Sequence, residues 1–177
     1  MINFAELNNQ IKKNIKKQDF SLEVKGLLCR YFNISLKDIG EEKGFIKLNK
    51  CFERFPVYLA VKKSEKFSLQ TVFNNPEKNV LLRWWNSFVD KLENERERLR
   101  LVLVFTKDYF PILCLMLMRT FKEVLLSVKT RKYVKTIITF ESEIADEIFI
   151  ICKFEDLLKE KALELNLFWE RRYKKCI

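Results

Sequence analysis

Apolar positions recur with helical spacing in some parts of the chain and in short continuous runs in others. Phe4, Leu7, Ile11 and Ile15 fall three or four apart, with Lys12, Lys13, Lys16 and Lys17 clustered between them. That spacing predicts an amphipathic helical arm over residues 1–20 with one basic side. A second helix is predicted over Ser21 to about Asn33, with Gly26 inside it. DIGEEKG, 38–44, reads as a turn, and GFIKLNK, PVYLAVKK and KFSLQTVF then read as three short strands. Asn75-Pro76 is a cap and first-turn pair for a long helix to about Glu97, with Val80, Leu81, Trp84, Phe88 and Leu92 on its buried side.

RLRLVLVFT, 98–106, has no polar alternation, the mark of a central strand buried on both faces. Asp108 is placed to cap an apolar helix from Tyr109 to about Val128, with Pro111 in its first turn. KTIITF, 135–140, and EIFIICKF, 147–154, read as two further strands, and a helix from about Glu155 to Tyr173 ends the series. The order α-α-β-β-β-α-β-α-β-β-α predicts an α/β fold: one domain over 1–177, a mixed central sheet flanked by helices. Neither an internal repeat nor a linker interrupts it.

A length of 177 residues with 48% apolar positions and 16 Phe suits one sizeable core. Lys and Arg outnumber Asp and Glu by 34 to 24, a formal net charge of +10. Such an excess concentrates polyanions at the surface, and equally serves plain solubility. Charged residues at 33%, with Gly reduced to 3, lean toward a thermophilic source. The five cysteines, Cys29, Cys51, Cys114, Cys152 and Cys176, are widely spaced and mostly flanked by apolar residues. They read as reduced core residues in a cytoplasmic compartment.

Histidine is absent from the chain. Its absence removes the usual general base, Ser-His and Cys-His nucleophile pairs and every His-containing zinc site. The start has no apolar block of signal-peptide type. The most apolar stretch, 101–118, is broken by Lys107, Asp108 and Pro111. Its uncharged parts fall short of the roughly 20 residues a bilayer span requires. Membrane association is not expected.

A helix, three short strands, a helix and a buried strand is similar to the core of the PD-(D/E)xK nuclease superfamily, over roughly residues 20–106. The resemblance implies a restriction-endonuclease-like core with a C-terminal extension. In that family an acid on one strand and the acid of the ExK motif on the next hold a divalent metal, and the lysine orients or activates the attacking water. Lys62 matches the motif lysine and is the catalytic candidate. Ala60 stands where the motif acid belongs, and Asn49 is the nearest candidate for the partner position. Both departures remove negative charge, which implies a catalytically degenerate relative without Mg²⁺ or Mn²⁺.

Two literal ExK triplets occur elsewhere, Glu23-Val24-Lys25 in a helical stretch and Glu41-Glu42-Lys43 in the turn. A helix start explains the first, and solvated charge the second. Glu141, Glu143, Asp146 and Glu147 place four carboxylates between two strands, enough to hold Mg²⁺ or Mn²⁺ with Lys153 assisting. A solvated loop separating two apolar strands is the competing reading.

No glycine-rich phosphate loop or dinucleotide fingerprint is present. Basic clusters are plentiful: Lys12 to Lys17; Lys62, Lys63 and Lys66; Lys129, Arg131, Lys132 and Lys135; and Arg171, Arg172, Lys174 and Lys175. Phe67, Tyr133, Trp169 and Tyr173 stand among them, a mixture suited to phosphate contact and base stacking. Adjacent Trp84 and Trp85 must face different helix sides, leaving one of them part-exposed. The expectation is a nucleic-acid-binding protein. Two alternatives stand beside it: a protein-interaction or homo-oligomeric accessory subunit using 109–128 and 84–88, and an active metal-dependent nuclease.

Overall fold

The computed structural model describes residues 20–49, 55–64, 68–75, 78–107, 111–125, 132–135, 137–142 and 146–173. All six residues of the LVLVFT run are buried, and they form strand β4 (Leu101–Thr106). Strand β3 (Tyr58–Lys63) lies parallel to it, in step from Tyr58 opposite Leu101 to Lys63 opposite Thr106. Strand β5 (Leu113–Leu117) lies antiparallel on the other side. Outward from β3 come β2 (Phe45–Leu48) and the edge strand β1 (Ile39–Glu42). Beyond β5 come β7 (Glu147–Lys153) and β6 (Ile138–Ser142), giving the order β1-β2-β3-β4-β5-β7-β6.

Side chains alternate across a strand, so β4 feeds two cores. Val102 and Val104 join Cys114, Met116, Ile150 and Cys152 on one face. Helix α1, over 20–32, covers that face with Phe20, Val24 and Leu28, four apart on one stripe. Helix α6 (Phe154–Tyr173) adds Phe154, Leu157 and Leu158. Leu101, Leu103 and Phe105 face the other way with Leu113, Leu115 and Ile151. They are covered through Val72 of helix α2 (Leu69–Asn74) and through Leu81, Leu82, Trp85 and Phe88 of helix α3 (Val80–Val89). Two short helices complete the set, α4 (Glu95–Arg98) and α5 (Met118–Leu125). The result is the expected mixed sheet flanked by helices. Among the described residues no helix is long and apolar enough to cross a membrane.

Several elements differ from their sequence reading. DIGEEKG is largely strand β1, and the turn shrinks to Lys43-Gly44, with φ of 53° and 83°. Two left-handed residues between antiparallel strands make the tight hairpin whose twist matches the sheet. KFSLQTVF contributes a helix, α2, because β2 and β4 already occupy both edges of β3. The Tyr109 to Val128 helix is replaced by β5 followed directly by α5. A strand buried on both faces and a wholly buried helix present the same unbroken apolar run, and pairing with β4 and β7 decides for the strand. The long helix starts at Val80, capped by Asn79, whose side chain accepts from the Leu81 N–H at 2.8 Å. It stops at Val89, and Asn94 caps α4 separately. Trp85, and not Trp84 as the spacing predicted, lies on the buried side; their adjacency leaves one of the two part-exposed, and that one is Trp84. The helical arm over 1–19 lies outside the described residues.

Cys114 and Cys152 sit directly opposite each other on β5 and β7, with sulfurs 3.4 Å apart, both free and buried. Burial pushes the Cys114 thiol up, well above its ordinary value. At the meeting of α1 and α6 the Tyr31 hydroxyl donates to Glu155, which also pairs with Lys159 at 3.6 Å. Burial, and then the bond to Glu155, pushes Tyr31 up to about 12, while the bond from Tyr31 holds Glu155 below the usual carboxylate range. A raised tyrosine contributes stability that is complete below the ordinary value of 10.0 and lost as pH rises through about 12. Glu155 works in the opposite sense: its contribution is lost as pH falls through its lowered value. Ultraviolet titration is expected to show one of the five tyrosines ionising near pH 12, a step missing in Tyr31→Phe. Uniform ionisation near 10 would remove this clamp between the helices.

Candidate nucleic-acid interface

Lys62 is half-buried near the end of β3, opposite Phe105 of β4. On the other side of β3 the register puts Phe45 opposite Ala60 and Ile46 opposite Leu59. Because β2 runs antiparallel to β3, Asn49 lies four positions along from Phe45, away from Lys62. Its backbone N–H donates to Asp38 at 2.9 Å, and its side chain fills the space where a Gly40 Cβ would come within 2.8 Å of Oδ1. Asn49 therefore serves the edge strand and is not the partner position.

Ala60, two positions before the lysine, and Phe45 opposite Ala60 are core. Ala60 is wholly buried, and the Phe45 ring lies 5.5 Å from Phe88 and 5.9 Å from Tyr58. The Lys62 ammonium stands 5.2 Å from the centre of the Phe88 ring, and Lys91 stands 4.9 Å from the same ring. A ring face draws cations by its quadrupole, so Phe88 gathers two of them at this corner. A methyl group and two aromatic rings offer no oxygen to a hard cation. Neither Mg²⁺ nor Mn²⁺ fits that place.

The nearby acids are engaged in ion pairs. Glu41 meets Lys25 at 2.6 Å and accepts from the Ser21 hydroxyl at 3.4 Å, which ties β1 to α1. Glu42 pairs with Lys47, whose hydrogen bond holds it below the usual carboxylate range. Lys43 pairs with Glu93, and that bond raises the lysine. Glu42, Lys43, Phe45, Lys47, Tyr58 and Glu97 line a polar cavity of about 100 Å³ beside these pairs.

The acidic segment forms the β6–β7 hairpin. Ser142 pairs with Glu147 and Glu141 with Ile148. Phe140 and Phe149 stack at 5.3 Å on the α3 side, and Ser142 is buried beside them. Alternation puts Glu147 on that side, 3.1 Å from Arg119, and Glu141 on the opposite side with exposed Ile148. Asp146 occupies the turn with φ 47°, and Glu143 lies outside the described residues. Lys153 is opposite Leu113 at the far end of β7. Among the described residues no three Cys, Asp or Glu side chains come together as a metal site.

Lys63 is exposed at the last position of β3, and Lys132 and Lys135 are exposed in the segment before β6. Lys12, Lys13, Lys16, Lys17, Lys66 and Arg131 lie outside the described residues. Arg171 and Arg172 belong to the last turn of α6, with side chains outside the described ones. The Lys132 to Lys135 segment joins the α1 and α6 side through buried Val134, whereas Lys62 and Lys91 lie on the α3 side. Positive charge is thus divided between the two faces.

The chain matches no family model, no curated protein and no solved structure.

Three participants escaped the sequence reading. Lys91 and the cation-gathering role of Phe88 depend on a helix-to-strand contact with no local signature. Buried Glu160 did carry a signal: it falls three after Leu157 and next to Lys161, itself buried, so two charged residues stand where the helix packs. A charge in such a place marks a buried partner. Placing an acid at this position by Ala60→Glu is expected to cost roughly 3–5 kcal/mol, because the carboxylate would enter the aromatic core. Urea unfolding measures it, and an unchanged midpoint with stabilisation by Mg²⁺ would show that the position is open to metal.

Proposed function

We propose that this protein binds nucleic acid and that it has the build of a PD-(D/E)xK nuclease whose metal site has been given over to core packing. The register carrying this reading is Phe45 opposite Ala60, with Lys62 over Phe88. In support, α1, three strands, α3 and the buried β4 follow in the order of that family's core, with Lys62 on the third strand. The lysine stays at a strand end beside exposed Lys63, while Ala60 and Phe45 opposite Ala60 are apolar. A net charge of +10, with no three Cys, Asp or Glu side chains gathered as a metal site among the described residues, favours holding a phosphate backbone over cutting it. The accessory-subunit alternative relied on apolar surface in 109–128 and 84–88. Leu113–Leu117 are spent in the sheet, and Trp85 and Phe88 in the core beneath α3.

Fluorescence anisotropy with labelled DNA and RNA tests the binding. Affinity is expected to fall roughly 100-fold between about 50 and 200 mM salt, as about four phosphate contacts require, with little sequence preference. Absence of binding by micromolar protein at the lower salt would overturn the reading. Incubation with duplex, single-stranded and branched DNA in Mg²⁺ or Mn²⁺ is expected to give no cleavage that Lys62→Ala abolishes. Such cleavage would mean that carboxylates from elsewhere complete the site.

A further inference from the structure

Glu160 is only 1% exposed, yet it carries a carboxylate. Burying such a group is costly unless its lone pairs are taken. Three consecutive backbone N–H groups take them: Lys132 donates to Oε1 at 3.1 Å, and Tyr133 and Val134 donate to Oε2 at 2.7 and 3.2 Å. Leu157 and Leu158 on the same helix serve packing alone, as an apolar residue at 160 would. What the carboxylate adds is a fixed path for one segment of backbone. That segment presents two exposed lysines, 132 and 135, around buried Val134. The Lys132 ammonium is steadied 5.5 Å above the Tyr133 ring, and the Lys135 N–H donates to the Tyr133 carbonyl at 2.8 Å.

We propose that Glu160 is a positioning residue for nucleic-acid binding, holding 132–135 in the shape in which Lys132 and Lys135 meet the phosphodiester backbone. The inference rests on the binding function proposed above and assigns a site to it. Ordering the cationic segment in advance removes a conformational cost otherwise met on binding. A carboxylate does this better than an amide: both of its oxygens accept, whereas the NH₂ of Gln would face a backbone donor.

The test uses a sign that charge alone gets wrong. Glu160→Gln makes the protein more positive, so long-range attraction predicts equal or tighter binding. Pre-ordering predicts binding roughly tenfold weaker at low salt. The salt slope should also be flatter by roughly 1–2. Lys132→Gln with Lys135→Gln should produce the same change, and adding Glu160→Gln to that pair should weaken binding no further. Amide exchange at 132–134 should be slow in the parent and fast in Glu160→Gln. Unchanged or tighter binding by folded Glu160→Gln, or losses that simply add, overturns the proposal. Should Glu160→Gln fail to fold, the double lysine variant decides, and parental affinity in it overturns the proposal equally. A parent that binds neither DNA nor RNA defeats the binding function itself, whereas a parent that binds beside variants that match it defeats only the role of Glu160.

Discussion

Strand β4 is apolar on both faces from Leu101 to Phe105, and the rest of the architecture answers to that. A strand of this kind is stable only with a paired neighbour on each edge and an apolar layer above and below. Its edges are filled by β3 and β5, and its faces by α3 on one side and by α1 and α6 on the other. Parallel pairing with β3 requires a long crossover, and α2 to α4 supply it. The remaining strands extend the sheet outward from this centre to shorter, more polar edges.

The same demand for apolar cover governs the corner around Lys62. Phe45 and Ala60 are neighbours across β2 and β3, and Phe88 of α3 closes over them. Once that space is aromatic, a carboxylate there would enter an apolar layer, and the Lys62 ammonium lies against the face of the Phe88 ring. Nearby acids on β1 act in the fold: Glu41 joins the edge strand to α1, and Glu42 steadies the hairpin through Lys47. The β1 acids are thus held in local pairs, beside the lysines that Phe88 gathers.

What the sequence displayed was the physics that acts within a few residues. Val24 and Leu28 fall on one stripe of α1, β4 is a single apolar run, and Leu81 and Phe88 share the inner side of α3; all of these were legible. Nonlocal pairing was not. Whether LCLML is strand or helix depends on β4 and β7, and whether Asn49 or Phe45 faces Ala60 depends on the register between β2 and β3. Asn79 displaced Asn75 as the cap because its side chain is buried where it also donates to Thr71 at 2.6 Å. That position 60 is alanine could be read directly, but the aromatic cluster packed around it could not.

The facing thiols of Cys114 and Cys152 turn the middle of the sheet into its own reporter. They lie on adjacent inner strands, shielded from solvent by α1 and α6, so a water-borne alkylating reagent meets them only when that cover lifts or the sheet opens. Their alkylation rate therefore counts how often the interior opens, molecule by molecule, while partly exposed Cys29 on α1 reports on shallower fluctuations. The ratio of those rates measures how far the sheet's centre is held apart from motions at its margin, on a native chain bearing no added label.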